Sequence, residues 1–254
     1  MGASRRAALA ASCLLSGWPA ACPAALDAGG SLALTRDDVY RGISQTCGHP
    51  AVQADLHAGE RGASDWAAFA GLWGSAGLGG SPCGSARELD AYLGYSLSLS
   101  GALAATLIYT HYGYPGGKYG KPYLRGLRYD YDQLAMSCRI AGRLYLNLAW
   151  TPNAPDYRGY EGPYQTKQSR SAFSYGIEWH QPLASWLSLA AGAGYDRMAD
   201  PFGTGYGFWS VGLTHSAGPL ELDVAYFHAA DRATRLFGPD AAGGRVSATL
   251  LWRF

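Results

Sequence analysis

The 254 residues include 35 Gly and 18 Tyr, with 48% hydrophobic and only 15% charged side chains, against roughly 25% charged in typical soluble domains. The formal net charge is +1, so no charge field points to nucleic acid or to another polyanion. The length suits one large β domain or two small ones.

At the N-terminus, Arg5 and Arg6 precede the short apolar run AALAASCLLSGWPAA, and small residues continue to Ala25. This is the layout of an export signal. Residues 1–25 are expected to be removed, and residues 26–254 to form a single domain. Cys22 follows Pro-Ala-Ala, whereas a lipidated cysteine needs an aliphatic residue at the proline position. Beyond the signal there is no run of about 18 apolar residues, so no transmembrane helix is available. Two architectures remain, a secreted β protein and an outer-membrane barrel.

Twelve segments of alternating character follow: 31–45, 50–57, 65–75, 86–99, 103–112, 129–140, 143–151, 171–180, 186–197, 206–215, 220–229 and 245–254. The clearest is ELDAYLGYSLSLS, in which Leu89, Ala91, Leu93, Tyr95, Leu97 and Leu99 share one face. Such period-two patterning is a strand with one apolar and one polar side. Segments of about ten residues match the length of a tilted membrane strand. The first segment loses strict alternation between Arg36 and Gly42, which predicts a β-bulge there.

The connections choose between the two architectures. Short links (SG, AG, QPLAS, SAGP) alternate with long ones such as GYPGGKYGKPYLRGLR and PNAPDYRGYEGPYQTKQSR. Short periplasmic turns alternating with long extracellular loops, with both termini periplasmic, are the signature of an outer-membrane barrel. The expected fold is therefore an all-β, antiparallel, up-and-down transmembrane β-barrel of about 12 strands, with 10 to 14 as the range. Trp66, Tyr112, Trp150, Trp179, Trp186, Trp209 and Trp252 fall near strand ends, where they would form interfacial girdles. The final segment places Val246, Ala248, Leu250, Trp252 and Phe254 on one face. It would pair with the first strand to close the barrel, and its aromatic end is of the kind that the barrel-assembly machinery recognises.

With a barrel in hand, the stretch ALTRDDVYRGISQTCGHPAVQADL resembles the N-terminal block of the Gcw_chp, or TorF, family of outer-membrane porin-like proteins. The matching positions are Tyr40, Arg41, Gly42, Ile43, Ser44, Gln45 and Thr46, followed by Pro50 and Gln53. Further echoes are GLWGSAG, ELDAYLGYS, LNLAWTPNAPDY and the terminal LLWRF. The sequence departs at Asp38-Val39, where an aromatic-rich step belongs, and at GGSPCGSAREL, where an acidic loop belongs. The resemblance implies an outer-membrane barrel with a pore and names no substrate.

Arg41 is the residue to single out. Arg on the lipid face near the bilayer midplane costs roughly 2–4 kcal/mol, so it belongs in the lumen or at the interface. It would either line the pore or brace a narrow barrel through an ion pair with Asp37, Asp38, Glu88 or Asp90, the second being favoured. Other inward candidates are Glu88, Asp90, Glu178, His180, Asp196, Glu221, Asp223, Arg245 and Arg253. Both signs are present, so strong ion selectivity is not expected. Twelve strands lie between the eight whose interior fills with side chains and the sixteen or more that hold an aqueous channel, which predicts a narrow or plugged pore. Lys118, Lys121, Arg125 and Arg128, interleaved with tyrosines in the loop after residue 112, are candidates for a constriction or for contact with lipopolysaccharide phosphates.

Cys47, Cys83 and Cys138 remain after the signal, without metal-ligand spacing. No cofactor or metal is expected. The first two fall in neighbouring extracellular loops in an oxidising compartment, which predicts a Cys47–Cys83 disulfide, while Cys138 shares the lipid face with Leu134, Met136 and Ile140. The function expected is a bacterial outer-membrane channel for small polar solutes, in contact with outer-membrane lipid and lipopolysaccharide. The alternatives are a lipid-modifying enzyme using His180 or His215 with a serine, or a plugged structural or surface-binding barrel. No H-E-x-x-H, G-x-S-x-G or P-loop supports catalysis.

Overall fold

The computed structural model describes residues 25–61, 66–78, 87–115, 130–154, 170–198 and 205–254. In chain order the elements are β1 (Ala25–Thr35), β2 (Val39–Tyr40), β3 (Ile43–Ser44), β4 (Ala51–Arg61), β5 (Trp66–Gly77), β6 (Arg87–Ser100), β7 (Leu103–Gly113), β8 (Tyr131–Ile140), β9 (Leu144–Ala154), β10 (Arg170–Ala184), β11 (Leu187–Arg197), β12 (Gly205–Ala217), β13 (Leu220–Ala229), α1 (Asp231–Phe237) and β14 (Gly244–Arg253). Twelve of the strands, all but β2 and β3, pair antiparallel with their chain neighbours, and β14 pairs with β1 to close a barrel. The seam runs from Ser31 opposite Arg253 to Thr35 opposite Thr249. Phe254 completes it by exchanging two backbone hydrogen bonds of 3.0 Å with Gly30. A sheet so closed leaves no edge to satisfy.

The alternation read from the sequence sets which face is which. On β6, Leu93 is 58% exposed on the outer wall while Asp90, of opposite parity, is 5% exposed in the lumen. The same inversion holds for Leu107, Leu148, Val211, Leu222 and Leu250, which all stand exposed on the outside. An apolar belt of that extent is ruinous in water and suited to hydrocarbon. Trp150, Trp179, Trp186, Trp209 and Trp252 stand outward as expected for girdles. Tyr112 does not: it lies on the lumen face, stacked on Tyr131 at 4.5 Å. The side chain of Trp66 lies outside the described residues.

Links at one end are short, as at Gly101-Ala102 and Gly218-Pro219, and those at the other are long, the first running from Arg36 to Pro50. That first long link corrects the sequence reading. The first segment, read as a strand to residue 45 with a bulge, stops at Thr35. The chain then leaves the wall and forms the small β2–β3 hairpin, which is no part of the barrel. The last long link holds α1, a two-turn helix with no sequence-level forecast. Ile43 of the hairpin, Tyr206, Ala229, Ala233, Ala241 and Ala242 form a buried apolar cluster here, with Cys47, Phe208 and Leu236 packed against it.

Cys47 is disulfide-bonded, and Cys138 is a free thiol. Cys83 lies outside the described residues. Non-reducing peptide mapping is predicted to recover one peptide pair joining Cys47 to Cys83, with Cys138 alone alkylated; a Cys47 peptide joined to any other cysteine would contradict the pairing.

Candidate functional site

The lumen is crossed near its long-connection end by residues 36–50, and this insertion is the candidate site. Its shape begins with two residues of positive φ, Arg41 (51°) and Gly42 (77°), between β2 and β3. A two-residue hairpin turn needs this conformation at both positions, and glycine adopts it without strain. A Cβ at position 42 would also come within 3.1 Å of the side chains of Ala229 and Phe208. Arg41 in contrast carries the cost of left-handed backbone for a non-glycine residue, of order 1–2 kcal/mol. Its contacts offset that cost: the guanidinium lies 3.4 Å from Asp196 on β11, donates to Gln133 on β8 at 3.3 Å and stacks over Tyr40 at 4.6 Å.

These partners lie across the barrel from β1, so the hairpin spans the bore. Arg41 is thus braced by an ion pair, with Asp196 in place of the four acids expected. Gln133 is buried, donates in turn to Thr151 and accepts from Tyr112. Tyr40, Tyr112, Tyr131 and Tyr114 follow one another with ring centroids 4.5–6.5 Å apart, a belt of tyrosines around one side of the hairpin.

The other end of the insertion is fixed by Asp37, 3% exposed. Its Oδ1 accepts from the Ser44 hydroxyl, the Thr46 hydroxyl at 2.9 Å and the Gly48 N–H at 3.3 Å. Its Oδ2 accepts from Arg245 on β14 at 3.0 Å. Even its backbone is held, since the carbonyl accepts from both Thr35 and Ser247 hydroxyls. Next to it, Asp38 accepts from Ser75 on β5 at 2.7 Å. Burial pushes the Asp38 carboxyl above its ordinary range, against the opposing pull of hydrogen bonds from Ser75 and Gln53.

On the β7–β12 side, a cavity of about 430 Å³ touches Tyr40 and Arg41 and is walled largely by small or polar side chains, among them Thr106, Gln133, Ser137, Asn147, Ser174, Gly176 and Ser210. A smaller cavity of about 160 Å³ lies on the β1 side, lined by Asp37, Asp38, Gln53, Asp223 and Thr249 among others. The β5–β6 wall is filled instead. Phe69 meets Tyr92 edge to face and folds over Gly94, where a Cβ would lie 2.2 Å from the ring. Tyr92 donates to Asp55 at 2.7 Å.

The inward candidates named from sequence divide into two groups. Arg41, Glu88, Asp90, Asp196 and Arg245 gather at the inserted hairpin. Glu178, His180, Glu221 and Asp223 lie further toward the short-turn end, where His180 sits 3.1 Å from Glu178, Arg253 pairs with Glu221 at 2.7 Å and Thr214 donates to Asp223. Lys118, Lys121, Arg125 and Arg128 lie outside the described residues. Sequence reading missed Gln133, the tyrosine belt and the anchoring role of Asp37. Among the described residues no group of three or more His, Cys, Asp or Glu is placed to hold a metal ion.

Replacing Asp37 with Ala removes at once the carboxylate paired with Arg245 and the acceptor of the Ser44 and Thr46 hydroxyls, while the Gly48 N–H keeps Ser44 Oγ. Loss of one partner of a buried pair costs about 3 kcal/mol or more. The D37A barrel is predicted to show a lowered urea midpoint in detergent with its β circular dichroism intact before the transition; an unchanged midpoint would contradict the anchoring role.

Solved structures share this architecture. A chain from a study of in-meso crystallization of membrane proteins superposes with a TM-score of 0.55 at 8% identity, covering 89% of this chain and 83% of the other. An outer-membrane channel from Pseudomonas putida F1 superposes with a TM-score of 0.50 at 12% identity, covering 94% of this chain and 98% of the other. At such identities the likeness is one of fold. Among curated proteins no sequence matches. Residues 19–249 match the pattern of a family described as bacterial proteins of unknown function, and the chain accordingly belongs to the Gcw_chp family.

Proposed function

We propose that the protein is a narrow channel of the bacterial outer membrane, passing small polar solutes through a bore set by the β2–β3 hairpin. The observation that carries this reading is the 430 Å³ cavity against Arg41 and Tyr40, where Thr106, Asn147, Ser174 and Ser210 stand beside Ile108 and Phe208 and leave open a space that a structural barrel would pack. The apolar outer belt and the closed seam support the location. The Pseudomonas putida structure of the same fold is itself an outer-membrane channel. In this reading residues 1–25 are the export signal, the long connections face outward, and the terminal strand ending at Phe254 is what the assembly machinery reads.

The enzymatic alternative gains nothing from the two histidines it needs. His180 approaches Glu178 and packs edge to face on Tyr145, while His215 packs on Trp186. Among the described residues neither is hydrogen-bonded to a serine.

Refolded protein in a planar bilayer is predicted to show discrete single-channel steps of low conductance. Arg41→Ala, which removes the side chain that crosses the bore, is predicted to raise the step size by roughly twofold. Silence across salts and voltages, in wild type and variant alike, would contradict the channel and favour a plugged structural barrel.

A further inference from the structure

Among the described residues the charges at the hairpin do not cancel, although the sequence shows both signs. Two of the guanidiniums there are already matched, Arg41 by Asp196 at 3.4 Å and Arg245 by Asp37 at 3.0 Å, while Arg36, exposed at the start of the insertion, donates to the Val246 carbonyl at 2.7 Å. Three further carboxylates stand at the same level. Asp38 is held by Ser75, and Ser75 lies directly across the β5–β6 ladder from Glu88. Asp90 follows Glu88 two residues along the lumen face of β6. No Lys or Arg among the described residues forms an ion pair with any of the three.

Their hydrogen bonds are also few. Glu88 accepts from the Tyr114 hydroxyl at 3.1 Å. Asp90, 5% exposed, has one carboxylate oxygen, Oδ1, with no hydrogen-bond partner. A buried, unpartnered carboxylate oxygen is costly unless something in the lumen compensates it. The tyrosines of the belt add ring faces, whose negative quadrupole attracts cations.

We propose that the constriction selects for small cations, with Asp38, Glu88 and Asp90 as the residues that set the preference. This rests on the channel reading above and names the class of solute for that same bore. A carboxylate group in a narrow, low-dielectric passage concentrates counter-ions and repels anions, and the two arginines contribute no opposing field because each is spent on its own aspartate. Amine-bearing solutes satisfy the same site through ammonium hydrogen bonds to carboxylate.

The test is the reversal potential of the refolded channel under a KCl gradient. Wild type is predicted to reverse toward the potassium equilibrium potential. The double variant Glu88→Gln/Asp90→Asn is predicted to lower the potassium-to-chloride permeability ratio by roughly threefold or more. Glu88→Gln alone shifts it in the same direction, and serves should the double variant fail to refold. Steps that reverse at zero or toward chloride overturn the cation preference and leave the channel standing. A ratio unmoved by the substitutions removes these residues as its source. Absence of any steps overturns both.

Discussion

One buried carboxylate organises the inside of this barrel. Asp37 comes two residues after β1 leaves the wall, and it turns the chain inward by collecting Ser44, Thr46, the Gly48 N–H and Arg245 around its two oxygens. Charge-assisted bonds of this kind are about twice as strong as neutral ones. Here they close a loop on itself and fasten it to β14, at the seam where the barrel joins its own start. Everything at the candidate site follows from that fixed point: the hairpin projects from it, Arg41 at the tip reaches β8 and β11, and Ile43 enters the apolar cluster beside α1.

The insertion also answers a volume problem. A twelve-strand barrel encloses more space than its own inward side chains fill when many of them are Gly, Ala and Ser. The protein treats its two sides differently. Along β5 and β6, Phe69 and Tyr92 fold over glycines and fill the wall. Along β7 to β12 a cavity remains, lined by those strands and bounded on one side by Tyr40 and Arg41 of the hairpin.

Much of this fold is written in local periodicity. The outer face of ELDAYLGYSLSLS and the alternation of short and long links place strand, face and end without any tertiary knowledge, because lipid imposes the same period-two rule on each strand. The hairpin is different. Residues 36–45 lose strict alternation yet read as more strand with a bulge, and what pulls them inward lies far along the chain: Asp196 is 155 residues from Arg41 and Val246, Ser247 and Arg245 lie more than 200 from residues 36 and 37. Tyr112 looks like a girdle residue by composition and position, yet its parity with Thr110 and Thr106 puts it in the lumen. The pairing of Arg41 with Asp196 depends on a crossing of the bore that no local signal records. Counting signs along the chain cannot tell which acids are already matched.

The central proposal is that the inserted hairpin, and not the barrel wall, limits the bore. Non-electrolyte exclusion measures this directly: single-channel conductance is recorded in graded polyethylene glycols for wild type and for a variant in which residues 39–44 are replaced by two glycines. The variant is predicted to admit, and to have its conductance lowered by, polymers that the wild type excludes. The same exclusion limit for both proteins would contradict it.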